Sequence, residues 1–364
     1  MIKKLIYYLF NDREYLKSII NYKLKSSNFT LLIIIRYFLN ILKKNNKKDA
    51  LLFVYDLELN PNTFDFGVHL ANATIYLREK SLSKIDLLLI KSKSSTPVKS
   101  SYLKFISEHE FNNRIFEIII SNFRLSSFAN DIFLMKEDNV ECIINNYSNI
   151  YPLGCSKNKI IACPTKLPDA RANKFFPMYN STPRAKEIIA DYLKNFKNKK
   201  IITLSFRDWN FIKKRNSRYN DWIKFSEYVK KKNYQIFLIP DPNNYDFEIF
   251  KRFKNCHVAE IVLWNLNLRA ALYEAAFLNL SIASGIFEIA SCYNKDCKSI
   301  MFLDFKNGYE KNYIKSLRKT WNFEDTLNQK WLTSNQKYVY KSDSFENIVE
   351  AFNQFLHTHK FKNY

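Results

Sequence analysis

The chain has 364 residues, 47% of them hydrophobic and 16% aromatic, with only 4 glycines. That length allows two or three domains with sizeable cores, while the absence of G-x-G-x-x-G and of G-x-x-x-x-G-K-[ST] excludes the familiar dinucleotide and P-loop sites. A formal net charge of +22 points to phosphates, nucleic acid or a membrane surface as partners, but the wealth of Lys, Asn, Ile, Phe and Tyr also fits an A/T-rich coding bias, so charge alone does not choose among them.

Residues 1–48 stand apart, with eleven Lys and Arg against Asp12 and Glu14. Within them Phe29–Leu42 is apolar except for Thr30, Arg36 and Asn40, and lysines flank it on both sides. Fourteen residues are too few to span a bilayer, which takes about twenty. Two readings stay open: a helix lying in a membrane interface, peripheral to the inner face, and a helix packed on the protein's own body. No small-residue cleavage site follows, so a removed signal peptide is not expected. The cysteines (Cys142, Cys155, Cys163, Cys256, Cys292 and Cys297) form no C-x-x-C pair and no zinc-type spacing with the histidines. A reducing, cytoplasmic compartment is the simplest setting for them.

From Asp49 the pattern becomes α/β. Ala50–Tyr55 reads as a buried strand, Asp65–Arg78 as a helix, Leu87–Ile90 as a second strand and Lys91–Ser101 as a polar loop. A helix over Asn113–Asn122, a strand Asp131–Met135 and a short helix Val140–Ile144 follow. Tyr151–Pro183 holds five prolines and no periodicity, and reads as a linker and inter-domain segment. Beyond it come a helix Pro183–Phe196, a strand Ile201–Phe206, a helix Asp221–Lys231 and a strand Gln235–Ile239. A turn at Pro240-Asp241-Pro242, a helix Leu268–Leu278, strands Leu280–Ser284 and Ser299–Leu303, and a terminal helix Ser344–Leu356 complete the series. Alternation of this kind predicts parallel sheets with crossover helices. The expected division is a basic helical extension (1–48), two Rossmann-like domains (49–165 and 166–345) facing a cleft, and a terminal helix and tail (346–364). Whether that last helix crosses back to the first half is open.

Two stretches carry candidate chemistry. In Ile201–Trp222, a buried strand ends at Arg207 and gives way to a loop with Lys213, Lys214, Arg215, Asn216, Ser217 and Arg218. Open α/β sheets bind ligands beyond the carboxyl ends of their strands, and the planar fork of arginine suits phosphate; a solvated basic loop is the competing reading. In Asn265–Gly285, Leu268, Ala271, Leu272, Ala275 and Ala276 form one apolar helical stripe. Asn267 is the expected N-cap, which sets Arg269 in the first turn, where a cation opposes the helix dipole unless an anion sits there. Tyr273 follows Arg269 by one turn and would flank a nucleotide. Glu274 would orient a ribose or cap a neighbouring loop, and Ser284-Gly285 would let a ligand approach the backbone. Asp65 and His69, one helical turn apart, are the candidate base for an acceptor hydroxyl or ordinary helix-start residues.

Asn62-Thr63-Phe64-Asp65-Phe66, Arg207, Arg215-Asn216-Ser217 with Trp222, Pro240-Asp241, the run Trp264–Glu274 and Asn279-Leu280 together resemble a largely uncharacterised bacterial family. That family is associated with surface-carbohydrate gene clusters and with the two-Rossmann GT-B glycosyltransferase architecture; the resemblance spans residues 49–305. Ser205-Phe206-Arg207 also resembles the strand-end arginine motif of fucosyltransferase-like GT-B enzymes, which carry His where Ser205 stands. The resemblance implies an acceptor domain first and a donor-nucleotide domain second. It further implies metal-independent transfer from a nucleotide-sugar donor to a cell-surface glycan or glycolipid precursor, with no cofactor. Arg207, Arg215, Asn216, Ser217, Asp241, Asn267, Arg269, Tyr273, Glu274, Ser284 and Gly285 would then line the donor site. No D-x-D motif is present, against the metal-dependent GT-A class. Two other classes remain: a GT-B-like protein that binds without turnover, and a nucleic-acid binder. No homeodomain, zinc-finger or RRM signature supports the last.

Overall fold

The computed structural model describes residues 47–91, 106–136, 140–156, 158–164, 179–210, 212–230, 232, 234–242, 247–305 and 332–360. The expected interfacial helix, its membrane contact and most of the 91–101 loop lie outside them. The described residues from Asp49 onward form one compact unit that holds both sheets. No helix among the described residues is long and apolar enough to cross a membrane.

The first sheet contains β1 (Lys47–Asp56), β2 (Lys84–Lys91), β3 (Ala129–Lys136) and β4 (Tyr147–Tyr151), in the order β3-β2-β1-β4. β1 runs parallel to β2, and β2 to β3. The continuous apolar runs of β1 and β2 are what a sheet covered on both faces requires, and Ala50–Tyr55 and Leu87–Ile90 are buried throughout. Asp86 interrupts the β2 run yet is fully buried. It is satisfied across strands, accepting from Asn130 Nδ2 at 2.6 Å, from Asp131 N at 3.0 Å and from the Tyr147 hydroxyl at 2.5 Å. A carboxylate so paired pins the edge of the sheet instead of destabilising it.

The second sheet has six strands: β5 (Lys200–Ser205), β6 (Tyr234–Ile239), β7 (His257–Val258), β8 (Leu278–Ile282), β9 (Ser299–Phe302) and β10 (Gln336–Val339). Every described pairing is parallel and the order is β10-β9-β8-β5-β6-β7. Read from β7, the strands come third, second, first, fourth, fifth, sixth, which is the doubly wound Rossmann order. The direction of winding reverses between β5 and β8, where Ser205 pairs with Ser281. Arg207 and Ser284 therefore leave neighbouring strands at the same edge. The expected α/β class, with two Rossmann-like halves facing a cleft, is present.

Helices α1 (Phe66–Glu79) and α2 (Glu108–Arg114) belong to the first half, as does the short α3 (Glu141–Ile144). α2 continues through a π-helical turn, Ile115–Ile120, and ends with Ser121–Phe123. The second half adds α4 (Pro183–Tyr192), α5 (Tyr219–Lys230), α6 (Phe247–Lys251), α7 (Leu266–Ala275), α8 (Gly285–Phe287) and α9 (Phe345–Lys360). β4, β7, β10 and α6 are absent from the sequence expectation: each is short and without a full apolar period. The terminal helix α9 does not cross back. Its Ile348, Ala351, Phe352 and Phe355 share a core with Trp222 and Phe225 of α5, and the Phe225 and Phe352 rings meet edge-on at 5.4 Å.

The two halves share one apolar core containing Phe66 and Ile75 with Leu272 and Ile289. Two glycines make the join possible. A Cβ on Gly67 of α1 would stand 2.3 Å from Ile289 Cδ1, and one on Gly285 would stand 2.6 Å from Phe64 Cβ. Each half thus removes a side chain where the other inserts one. Tyr179, arriving from the connecting segment, donates its hydroxyl to the Gly67 carbonyl at 2.5 Å and stacks on Tyr293.

Candidate functional site

A cavity of about 360 Å³ lies between the halves at the β5/β8 switch point. From the second half, Phe206, Arg207, Trp209, Arg215, Asp241, Trp264, Arg269, Ser284, Gly285 and Glu288 face it; from the first, Phe64, Asp65, Glu110, Arg114, Glu117 and Ile118 do. A crevice outside the carboxyl ends of the strands at a winding reversal is where open α/β sheets bind ligands.

The three arginines singled out in the sequence reach this one cavity. Arg207 comes directly off β5. Its Nη1 donates to Asn216 Oδ1 at 2.5 Å and to the Ile212 carbonyl at 3.3 Å. Ile212 itself has φ 58°, a left-handed conformation costly for a β-branched residue, so the loop holds a strained shape around the guanidinium. Arg215 follows on the next turn and donates from Nη2 to the Ala283 carbonyl at 3.2 Å, joining the loop after β5 to the end of β8. Arg269 is 2% exposed. Its Nε donates to the Val262 carbonyl at 3.2 Å, but its Nη2 is buried without a hydrogen-bond partner. Burial lowers its pKa from the ordinary arginine value, while the neighbouring Tyr273 and Asp241 act the other way. An arginine in that condition is a cation prepared for an anion.

Of the other expected site residues, Asn216 and Ser217 support the loop and are not among those facing the cavity. Asn216 accepts from Trp209 N at 3.2 Å and donates to Asp208 Oδ1 at 2.9 Å. Ser217 Oγ accepts from Arg207 N at 2.9 Å. Asp241 does line the cavity, and its carboxylate also accepts from Asp208 N at 3.0 Å. The N-cap of α7 is Asn265, whose side chain accepts from Leu268 N at 3.1 Å; this corrects the assignment to Asn267. Asn267 lies in the first turn and accepts from Thr182 N at 3.3 Å. The helix starts two residues earlier than its apolar stripe because Leu266 is also buried.

Tyr273 is fully buried, its hydroxyl 2.6 Å from Ser205 Oγ beneath the cavity floor. It is not among the residues that face the cavity. Glu274 takes the loop-capping role: it accepts from Ser181 N at 2.6 Å, Ser181 Oγ at 2.7 Å and Asn294 Nδ2 at 2.6 Å, and pairs with Lys186 at 2.8 Å. Ser284 caps α8 through Phe287 N at 3.4 Å. Gly285 lines the cavity, but the close approach it permits is that of Phe64.

Asp65 and His69 part company. Asp65 is exposed to the cavity, where Thr63 Oγ1 donates to it at 2.9 Å. His69 turns inward, 1% exposed, with Nδ1 3.0 Å from the Pro164 carbonyl and its ring 5.7 Å from Tyr55. Burial lowers its pKa despite the Pro164 hydrogen bond and the charge of Asp65. It is a core histidine.

Two features had no signal in the sequence. Glu288 opens a π-helical turn, Glu288–Cys292, directly after α8, and lines the cavity. Arg114 reaches from the first half to place its guanidinium 5.5 Å above the Trp209 ring while Arg207 lies 6.0 Å from the same ring. Among the described residues, no three His, Cys, Asp or Glu side chains are grouped to hold a metal ion.

No family model matches the sequence, and no curated protein matches it. Among solved structures, the chain is similar to a glycosyl transferase family 9 protein from Veillonella parvula (8% identity, 85% of this chain and 97% of that one, TM-score 0.43). It is also similar to the ADP-heptose LPS heptosyltransferase II of E. coli (9% identity, 86% and 99%, TM-score 0.38) and to a UDP-N-acetylglucosamine 2-epimerase-type protein from Listeria monocytogenes (8% identity, 85% and 88%, TM-score 0.40). At TM-scores below 0.5 these likenesses do not bear on what the cleft binds.

Proposed function

We propose that the protein is a glycosyltransferase that binds a nucleotide-sugar donor in the inter-half cleft and passes the sugar to a hydroxyl of a cell-surface glycan or glycolipid precursor. The reading rests above all on Arg269, whose buried Nη2 lacks a partner beside a cavity that Arg207 and Arg215 also line. Three guanidinium groups at the carboxyl edge of a doubly wound sheet suit a diphosphate, and they supply the charge stabilisation that the departing diphosphate needs without a metal. Asp65 approaches the same space from the other half, where an acceptor would enter.

The test is a thermal-shift panel of UDP-, GDP-, ADP-, CMP- and dTDP-sugars on the purified protein. One nucleotide class should raise the melting temperature; at a hundredfold excess over its dissociation constant it adds about 2.7 kcal/mol of stability. Stabilisation that survives added salt is expected of a pocketed ligand, whereas nucleic-acid binding falls steeply with salt. A panel without a single stabilising nucleotide sugar defeats the proposal, and a stabilising one that is never turned over with any acceptor makes the protein a binder.

A further inference from the structure

We propose that Glu288 is the general base of the cleft, taking the proton of the acceptor hydroxyl as that oxygen attacks the anomeric carbon of the donor. The inference rests on the glycosyl-transfer reading above. Glu288 lines the cavity and is part-exposed to it. It stands at the first position of a π-helical turn, a distortion that recurs at functional sites. Its Oε1 accepts from the Tyr338 hydroxyl of β10 at 2.9 Å, which fixes the carboxyl plane. The charged and titratable groups around it come from four directions: Asp65 at the head of α1, Arg215 from the loop after β5, Tyr338 from β10, and Cys292 and Tyr293 from the end of its own turn.

These surroundings suit a base that works at neutral pH. Burial pushes the carboxyl up, the Tyr338 hydrogen bond and Arg215 pull it down and Asp65 pushes it up again; the balance is about 7. A general base is most effective with its pKa near the working pH, and a perturbed carboxyl in a cleft is a recurrent mark of a functional group. In the step itself the acceptor oxygen bonds to the anomeric carbon, and the carbon–oxygen bond to the diphosphate breaks with its electron pair leaving on the nucleoside diphosphate. The proton stays on Glu288 and then passes to solvent. Asp65, exposed across the cleft, is left to orient the acceptor.

The experiment uses the full chain saturated with the nucleotide sugar that stabilises it in the panel, with water as acceptor and nucleoside diphosphate release as the signal. Wild-type turnover should fall as the pH drops through about 7, because the base must be ionised. Glu288→Gln should slow turnover by about a hundredfold or more, lose that pH limb and leave donor affinity unchanged. Tyr338→Phe should move the limb to higher pH, since the lost hydroxyl stabilised the ionised carboxylate; a merely structural tyrosine would not move it.

A second measurement needs no donor. Because the folded carboxyl titrates above its unfolded value, the stability it contributes is complete below the unfolded pKa, about 4.3, and is lost as pH climbs to about 7. Glu288→Gln should therefore gain in melting temperature on wild type across that window and stay ahead above it. A flat difference from pH 4 to 8 overturns the proposal. So does Glu288→Gln retaining wild-type turnover and pH profile, or a wild type that holds a donor and releases no diphosphate from it. If no nucleotide sugar binds, the donor reading fails by itself, while the melting-temperature comparison still reports on Glu288.

Discussion

The second half delivers Arg207, Arg215 and Arg269 to the cleft, alongside Asp241 and Glu288, whereas the first half brings Asp65, Glu110 and Glu117 with Arg114. Among the described residues, the cation on that first wall is Arg114, and it is committed: Glu110 Oε1 accepts from its Nε at 3.0 Å and its Nη2 at 2.6 Å, and its plane lies over Trp209. Both sheets nonetheless start with the same order of their first four strands. The shared topology builds two edges that can face each other; on the proposed reading, the arginine-bearing wall would take the diphosphate and the other a neutral, hydroxyl-bearing acceptor. A phosphate drawn to the first wall would meet three carboxylates and a cation already paired with one of them.

That contrast is sharpest at Arg269. Arg269→Met should reduce nucleotide-sugar affinity by about 2–3 kcal/mol, since a charge-assisted hydrogen bond is lost. It should leave the fold at least as stable, because a buried cation with an unmet donor is replaced by an apolar chain of similar length. Titration calorimetry and a melting scan read the two effects separately. A variant that keeps its affinity, or one that unfolds, would show the arginine to be structural.

The join between the walls can be broken through its glycines. Gly285→Ala should destabilise the chain by about 1–3 kcal/mol, because the added carbon would meet Phe64 Cβ, an atom tied to the backbone. Gly67→Ala should cost less, since the nearest atom there is the end of the Ile289 side chain. Urea unfolding of the two variants gives the comparison, and the reverse ranking would contradict the packing described here. The smallest expected effect is at Arg207. Arg207→Lys keeps the charge but loses the planar fork, whose Nη1 is held by Asn216 and Ile212, and should weaken donor binding by about 1 kcal/mol. Equal affinity would make Arg207 a point charge only.

Much of the second half was legible beforehand because its signals are local. A six-residue apolar strand ending in arginine, a polar loop and an amphipathic helix announce the edge of a parallel sheet and mark Arg207 and Arg215, while a cation in the first turn of a helix marks Arg269. The cleft-facing Asp65 was named by its place at a helix start. The same logic misplaced His69, Tyr273 and the N-cap. Helical spacing tells which residues share a face, but not whether that face meets a cavity or another core.

The sequence by itself determined the α/β class, the positions of the long elements and the cations at the end of β5 and the start of α7, because periodicity and residue type act within one element. Only the tertiary structure decided what those elements meet. It buried His69 under the Pro164 carbonyl, put the Tyr273 hydroxyl against Ser205, spent Glu274 on Ser181 and Asn294, kept the terminal helix on the second half, and raised Glu288 to about 7 beside Tyr338. Each of these depends on a contact between residues distant in the chain. Desolvation and hydrogen bonding follow from that neighbourhood, and no local pattern encodes it.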